Sequence, residues 1–146
     1  MNGHVAATDL DRVEDLAADA LAAGRRAAHG LRGLPLSTGR RATNVAWLCG
    51  LLTSGRLFEE AALGALDDLE GELHRCAEAE ALYLHRPFDE HDVTWLDHPP
   101  VRHLSETGRR IERARGEVAE AIRHARRVRD LLEAERLVGR QRGLAV

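Results

Sequence analysis

The chain has 146 residues, 44% of them hydrophobic, and a formal net charge of −3, which suits one domain with a single core. No apolar run of about 18 residues is present, so the sequence predicts no membrane span. The N-terminus also lacks the basic flank and apolar core of a secretory signal. Cys49 and Cys76 both fall within apolar helical patterns, which favours reduced core residues of a cytoplasmic protein.

Composition and charge both bear on the class of protein. Alanine, leucine, arginine and glutamate dominate while aromatic residues make up 3%, and this mixture favours helices over strands. All 21 basic residues are arginine, which we interpret as the codon bias of a GC-rich, bacterial genome. Residues 1–100 hold nine arginines against 17 acids, whereas residues 101–146 hold twelve against seven. The basic rear permits a nucleic-acid partner, although overall charge gives it no support.

The first two predicted helices flank a loop at residues 31–37. The first begins after an N-cap at Thr8 and stops at Gly30, and residues 1–7 are expected to be flexible. The middle of its apolar face consists of small residues, so another helix can approach closely there. The second helix, from about Ser37 to about Ser54, is short and has little polar surface, so we expect it to be largely buried.

Two longer helices follow, and together the four predict an all-α fold. Helix three ends near His85, before Pro87, and residues 87–98 form a long loop. Helix four runs from about residue 97 to 137, and residues 139–146 form a flexible tail. The prediction is a single domain, an up-down bundle of three long helices and one short one, in which helices three and four form an antiparallel hairpin. A heptad row along helix four comprises Ile111, Val118, Ala125 and Leu132.

One acid interrupts the predicted apolar face of helix three. Glu80 would lie opposite His103 if the chain reverses within the loop, and a buried carboxylate needs a partner or a proton. With His85 and His98 at the same end of the bundle, a small metal-binding or proton-handling site is one hypothesis. The alternatives are a structural contact of Glu80 with His103 or Arg110, or a carboxylate that reaches solvent because the core thins there.

The last helix carries the densest basic cluster of the chain. Asp130 and Glu133 follow two of its members at a spacing of four residues, which favours a solvated surface with ion pairs along the helix. Arg129 and Arg136 fall near the centre of the apolar stripe. There they would end the apolar seam or meet acids such as Glu59 across the helix pair or across a dimer. No aromatic residue is interleaved, which disfavours stacking on single strands. The candidate contact residues for a partner or nucleic acid are Arg123, Arg126, Arg127, Arg129 and Arg136.

Residues 38–66 contain a Gly-Arg-Arg start, an asparagine and two helices split by a Ser-Gly turn. This segment resembles the helical region that follows the catalytic part of actinobacterial primase–polymerase proteins. The resemblance includes no catalytic motif, and it implies an association with nucleic acid.

Neither a phosphate loop, a nucleophile elbow, paired zinc cysteines nor a Rossmann fingerprint occurs in the sequence, so no cofactor and no catalytic residue is predicted. The leading hypothesis is a non-catalytic helical interaction or adaptor protein that self-associates, with a homodimer expected. One alternative is a nucleic-acid-associated accessory protein that uses the arginines of the last helix. Another is a small metal-binding helical bundle around Glu80 and His103.

Overall fold

A computed structural model describes residues 2–34, 40–84 and 100–144, and the side-chain environments of residues 11–34, 44–84 and 100–141. These residues form helices and one two-stranded sheet, which confirms the predicted all-α class. His85, His98 and the predicted 87–98 loop lie outside the described residues. In chain order the elements are α1 (Asn2–Arg32), α2 (Arg40–Leu52), a 3₁₀ turn (Gly55–Phe58), α3 (Glu60–Ala79), β1 (Ala81–Leu84), β2 (Val101–Leu104) and α4 (Glu106–Leu144).

The long helix α4 is the element on which α1 and α3 both pack. Its 39 residues extend for about 58 Å at 1.5 Å per residue. On the α1 side, Arg26 pairs with Glu120 and Gly30 lies against Ala114. Residue numbers therefore rise along α1 as they fall along α4, so the two helices are antiparallel.

Helix α3 is also antiparallel to α4, as the sequence predicts. Asp67 on α3 pairs with Arg126, whereas Glu70, three residues later, pairs with Arg115. Both α1 and α3 thus run in the same direction along α4, and the core lies between the three helices. Of the predicted heptad row, Ile111, Val118 and Ala125 are buried, whereas Leu132 is 42% exposed.

Helix α1 is longer than predicted at both ends. It begins at Asn2, ahead of the predicted N-cap Thr8, and continues through Gly30 to Arg32, so the predicted stop at Gly30 is wrong. A glycine inside a helix costs about 1 kcal/mol relative to alanine, but here it lets α1 approach α4. A Cβ atom at this position would lie 2.5 Å from Oε2 of Glu117.

The close approach predicted for the middle of α1 is confirmed at Gly24. This residue is buried, and a Cβ atom added to it would overlap the backbone carbonyl oxygen of Leu52, the last residue of α2. One turn further on, the Cys49 thiol donates a weak hydrogen bond to the carbonyl oxygen of Ala28 at 3.7 Å. Burial raises the pKa of the Cys49 thiol, so this group is a neutral core side chain.

The connection between α2 and α3 is a 3₁₀ turn that contributes to the core. Ser54 caps it, since its hydroxyl oxygen accepts a hydrogen bond from the backbone N–H of Arg56. Leu57 is fully buried, and the turn contacts α1, α2, α3 and α4. A short 3₁₀ segment therefore lies against all four helices and contributes a fully buried side chain to the core.

At the end of the bundle a two-stranded β-ribbon replaces the predicted continuation of both long helices. Helix α3 ends at Ala79 rather than near His85, and α4 begins at Glu106 rather than near residue 97. The strands are antiparallel, with Leu82 opposite His103 and Leu84 opposite Val101. Because α3 and α4 deliver the chain side by side at this end, cross-strand hydrogen bonds satisfy backbone groups that a helix would otherwise pair locally.

Among the described residues, none of the helices is long and apolar enough to cross a membrane.

Candidate functional site

The candidate arginines of α4 divide into two groups. Arg126 pairs with Asp67, and Arg129 donates a hydrogen bond of 2.8 Å to the carbonyl oxygen of Phe58 and lies 3.8 Å from Glu60. These pairs cross to α3 and its preceding turn, so the prediction of ion pairs with Asp130 and Glu133 along α4 is wrong. The members of the second group, which are exposed and have no carboxylate within 4.0 Å among the described residues, are Arg123, Arg127 and Arg136.

The far end of α4 projects beyond the helix that covers its earlier part. Helix α3 begins at Glu60, and Arg129 of α4 contacts this region through the Phe58 carbonyl oxygen and the Glu60 carboxylate. Three large apolar side chains follow on α4 and are 42–55% exposed: Leu132, Leu137 and Val138. Among the described residues, an apolar surface that α3 does not cover is therefore present here.

Helical geometry shows which neighbours this end of α4 lacks. Eighteen residues make five turns, so Leu132 points in the same direction as Ala114, which is 1% exposed beneath α1. By the same spacing, Leu137 repeats the direction of Ala119, which lines the groove between α3 and α4. Arg136 repeats the direction of Val118, which is fully buried. The seam thus continues past the start of α3, and the described side chains of α1, which also runs beside this end of α4, leave Leu132 and Leu137 partly exposed.

The first half of α1 accompanies this end of α4. At the antiparallel register set by Arg26 and Glu120, residues 11–16 of α1 lie beside residues 130–135 of α4. Half-buried side chains at Val13 and Leu16 on α1 and at Leu131 on α4 agree with that register. We call residues 11–19 of α1 together with residues 130–141 of α4 the distal arm.

Both halves of the distal arm carry exposed acids. Its α4 half exposes Arg136 and Arg140 together with Asp130 and Glu133. Its α1 half exposes one arginine, Arg12, and four acids, and none of these acids has an arginine within 4.0 Å among the described residues. The acids are Asp11, Glu14, Asp15 and Asp19.

The proposed metal-binding residues lie at the end of the bundle that carries the β-ribbon. Glu80 is the C-terminal cap of α3 and is exposed, which corrects the prediction that it is buried on an apolar face. Its carboxylate accepts a hydrogen bond from Ser105 at 3.3 Å rather than contacting His103, which is exposed on β2. Within residues 2–34, 40–84 and 100–144, no three ligand-type side chains form a group that could hold a metal ion. His85 and His98, the other two residues of the predicted site, lie outside the described residues.

Glu70 with His74, and Glu120 with His124, are each an acid followed by a histidine four residues later, a helical spacing at which the two side chains could share a metal. Glu70 instead pairs with Arg115, which also binds Glu112, while His74 is exposed. The Arg115 guanidinium, through its hydrogen bond, holds the pKa of Glu112 below its usual value. The second pair does form, since Nε2 of His124 lies 3.5 Å from Glu120.

Glu78, which sequence periodicity did not single out, ties the β-ribbon to α3. Its carboxylate accepts a hydrogen bond from the Tyr83 hydroxyl and pairs with Arg102, and these two residues face each other across the strands. The hydrogen bond from the Tyr83 hydroxyl, and to a smaller extent the Arg102 charge, lower the pKa of Glu78 below its usual value. The same hydrogen bond raises the pKa of Tyr83. Periodicity misses this arrangement because strand pairing brings Tyr83 and Arg102 together.

We expect Glu78→Gln to loosen the β-ribbon while leaving the helices intact. Because the pKa of Glu78 is lower in the folded protein, its stabilisation is fully present above about pH 4.5 and is lost as the pH falls through the folded value. Amide hydrogen exchange at pH 7 should show reduced protection for residues 81–84 and 101–104 in the variant. Glu72→Gln is the matched control, since Glu72 is exposed on the same helix. Equal protection of the ribbon in both variants would contradict this role of Glu78.

No protein-family model matches this chain, and no curated protein or solved structure matches it. The resemblance of residues 38–66 to the helical region of primase–polymerase proteins therefore stays a prediction.

Proposed function

We propose that this protein is a non-catalytic helical interaction protein that forms a homodimer through its distal arm. The observation that carries the proposal is the exposure of Leu132 and Leu137 at positions whose equivalents five turns earlier face other helices. A second copy of the arm would supply the missing neighbours. Two helices from each chain would then form a four-helix packing, which is a common arrangement for helical pairs of this length.

Charge favours a second copy as the occupant. A two-fold interface brings the same surface of both chains together, so it needs a surface that complements itself. In the distal arm Arg136 and Arg140 on α4 have no carboxylate within 4.0 Å among the described residues, and the exposed acids of α1 have no arginine that close. A two-fold axis can place the acids of each α1 beside these two arginines of the other chain. Within one chain the same two helices are joined at the other end by an ion pair of opposite polarity, between Arg26 on α1 and Glu120 on α4.

The seam arginines support the same assignment. Arg129 lies in the stripe and finds partners on α3, namely the Phe58 carbonyl and the Glu60 carboxylate. Arg136 is seven residues further along the same row and is exposed. An acid of the second copy's α1 would take the place that Glu60 has for Arg129. We also propose a bacterial, cytoplasmic setting, supported by the free thiol of the buried Cys49.

Light scattering coupled to size-exclusion chromatography tests the dimer. The wild-type protein should show twice the chain mass of 16.1 kDa. Leu132→Glu combined with Leu137→Glu should shift it to the monomer, because two unpaired carboxylates at an apolar interface raise the dissociation constant by at least about a hundredfold. Circular dichroism checks that the variant remains helical.

Leu82→Glu is the matched control for this experiment. Leu82 is 66% exposed on the β-ribbon, so this variant gains a carboxylate on an apolar surface away from the distal arm. It should keep the wild-type mass. A wild-type protein that is monomeric at micromolar concentration, or a control that dissociates equally, would contradict the proposal.

A further inference from the structure

A second surface lies on the side of α4 that faces away from the core. Arg109, Arg113, Arg123 and Arg127 are all exposed. Because five turns contain 18 residues, Arg109 and Arg127 point in the same direction, and the other two deviate from it by about 40°. The row is about 27 Å long at 1.5 Å per residue. We call these four residues the outer arginine face.

The charge of the outer arginine face is not neutralised within the described part of the chain. Four other arginines of α4 each have a carboxylate within 4.0 Å, whereas no described carboxylate comes that close to any member of the face. Glu120, the acid nearest the middle of the face, is already shared by Arg26 and His124. The four residues therefore form a concentrated positive surface on a protein whose net charge is −3.

The shape of this surface suits a rigid, highly charged polymer. Gly116, between the two arginine pairs, is exposed with open space around it, and the Glu120 carboxylate, which also lies between the pairs, is held by Arg26 and His124. Duplex DNA carries a negative charge for about every 1.7 Å of its axis, counted over both strands, and the row of about 27 Å is shorter than one helical turn of about 34 Å. Both phosphate backbones can therefore cross the row within its length, where the two arginine pairs can reach them without bending the duplex.

We propose that the outer arginine face binds the phosphate backbone of double-stranded nucleic acid without reading its sequence. Arginine contacts to phosphate position a protein on a duplex but carry no base information. An acidic protein partner is disfavoured, because protein interfaces depend on buried apolar or aromatic anchors. The large exposed apolar residues of the described chain lie elsewhere, on α2, on the β-ribbon and in the distal arm.

This proposal uses the arginines differently from the sequence-based alternative. Of the predicted contact residues, Arg123 and Arg127 belong to the face, while Arg126 and Arg129 are held by α3 and the 3₁₀ turn. Arg136 lies in the distal arm. The face is also separate from the surface proposed for dimer formation, so each proposal can fail without the other.

Fluorescence anisotropy with a labelled random-sequence duplex tests the proposal. Four phosphate contacts predict a slope of about −3.6 for the logarithm of affinity against the logarithm of salt concentration, or about a hundredfold loss between 50 and 200 mM salt. The double variant Arg113→Gln/Arg123→Gln should reduce the slope by about half. DNA and RNA duplexes of several sequences should bind with affinities within about threefold of one another.

The matched control is Arg12→Gln/Arg75→Gln, which removes the same charge from exposed positions on α1 and α3. It should leave both the affinity and the salt slope unchanged. The dimer-breaking variant Leu132→Glu/Leu137→Glu should retain the salt slope of each binding face. Absence of binding at 50 mM salt, an equal loss in the control, or competition by poly-glutamate as strong as by unlabelled duplex would overturn the proposal.

Discussion

Gly24→Ala is expected to lower the free energy of unfolding by about 3 kcal/mol, as overpacking of a tight core contact does. The added Cβ atom would overlap the carbonyl oxygen of Leu52 and lie 3.1 Å from its carbonyl carbon. Because these are backbone atoms, no side-chain rotation relieves the overlap, and α1 and α2 must move apart. Urea denaturation followed by circular dichroism measures the effect.

The matched control for this substitution is Gly64→Ala on α3. Gly64 is exposed, and a Cβ atom placed there has nothing within 4 Å. Alanine is favoured over glycine inside a helix by about 1 kcal/mol, so this variant should be more stable than the wild type. The same chemical change is thus expected to have opposite signs at the two positions. Equal effects would contradict the close approach of α1 and α2.

Leu57→Ala is expected to cost about 4 kcal/mol, within the range of leucine truncations in well-packed cores. Leu57 is fully buried, and the short 3₁₀ turn that carries it contacts all four helices. The cavity would therefore border several elements that cannot all close on it. That loss is a large share of the 5–15 kcal/mol typical of a whole domain, so the melting temperature should fall markedly.

Calorimetry and urea denaturation both measure the Leu57 effect. Leu82→Ala provides the control, because Leu82 is 66% exposed on the β-ribbon and truncation there should change stability by less than about 0.5 kcal/mol. A loss of under about 1 kcal/mol for Leu57→Ala would contradict the central place of this side chain in the core.

Helical periodicity correctly identified the side of α4 that faces the core, but it did not identify the point at which α3 stops covering that side. Val118 and Ala125 are buried as predicted, whereas Leu132, in the same row, is exposed. The spacing of apolar residues determines which of them share a side of a helix. It does not determine whether another helix is long enough to lie opposite, and α3 begins at Glu60, beside Arg129.

The predicted contact of Glu80 with His103 does not form, although both residues lie at the predicted end of the bundle. The chain does reverse between α3 and α4, but Glu80 meets Ser105, and His103 lies opposite Leu82 in a strand pair. Over four residues, apolar spacing does not distinguish a strand from the last turn of a helix. The ribbon forms because the two long helices bring these segments together, and the spacing of apolar residues within each segment does not predict this pairing.

The sequence by itself determined the helical class, the central helix and the close approach at Gly24. These follow from the helix-forming composition, the apolar stripe of α4 and the small face of α1, which are all properties of neighbouring residues. The tertiary structure alone decided where α3 ends and α4 begins, how the strands of the ribbon pair, and which arginines have no carboxylate partner among the described residues. The physical reason is distance along the chain. Arg115, Arg126 and Arg129 bind partners 45, 59 and 71 residues away, whereas helical periodicity links residues three or four apart.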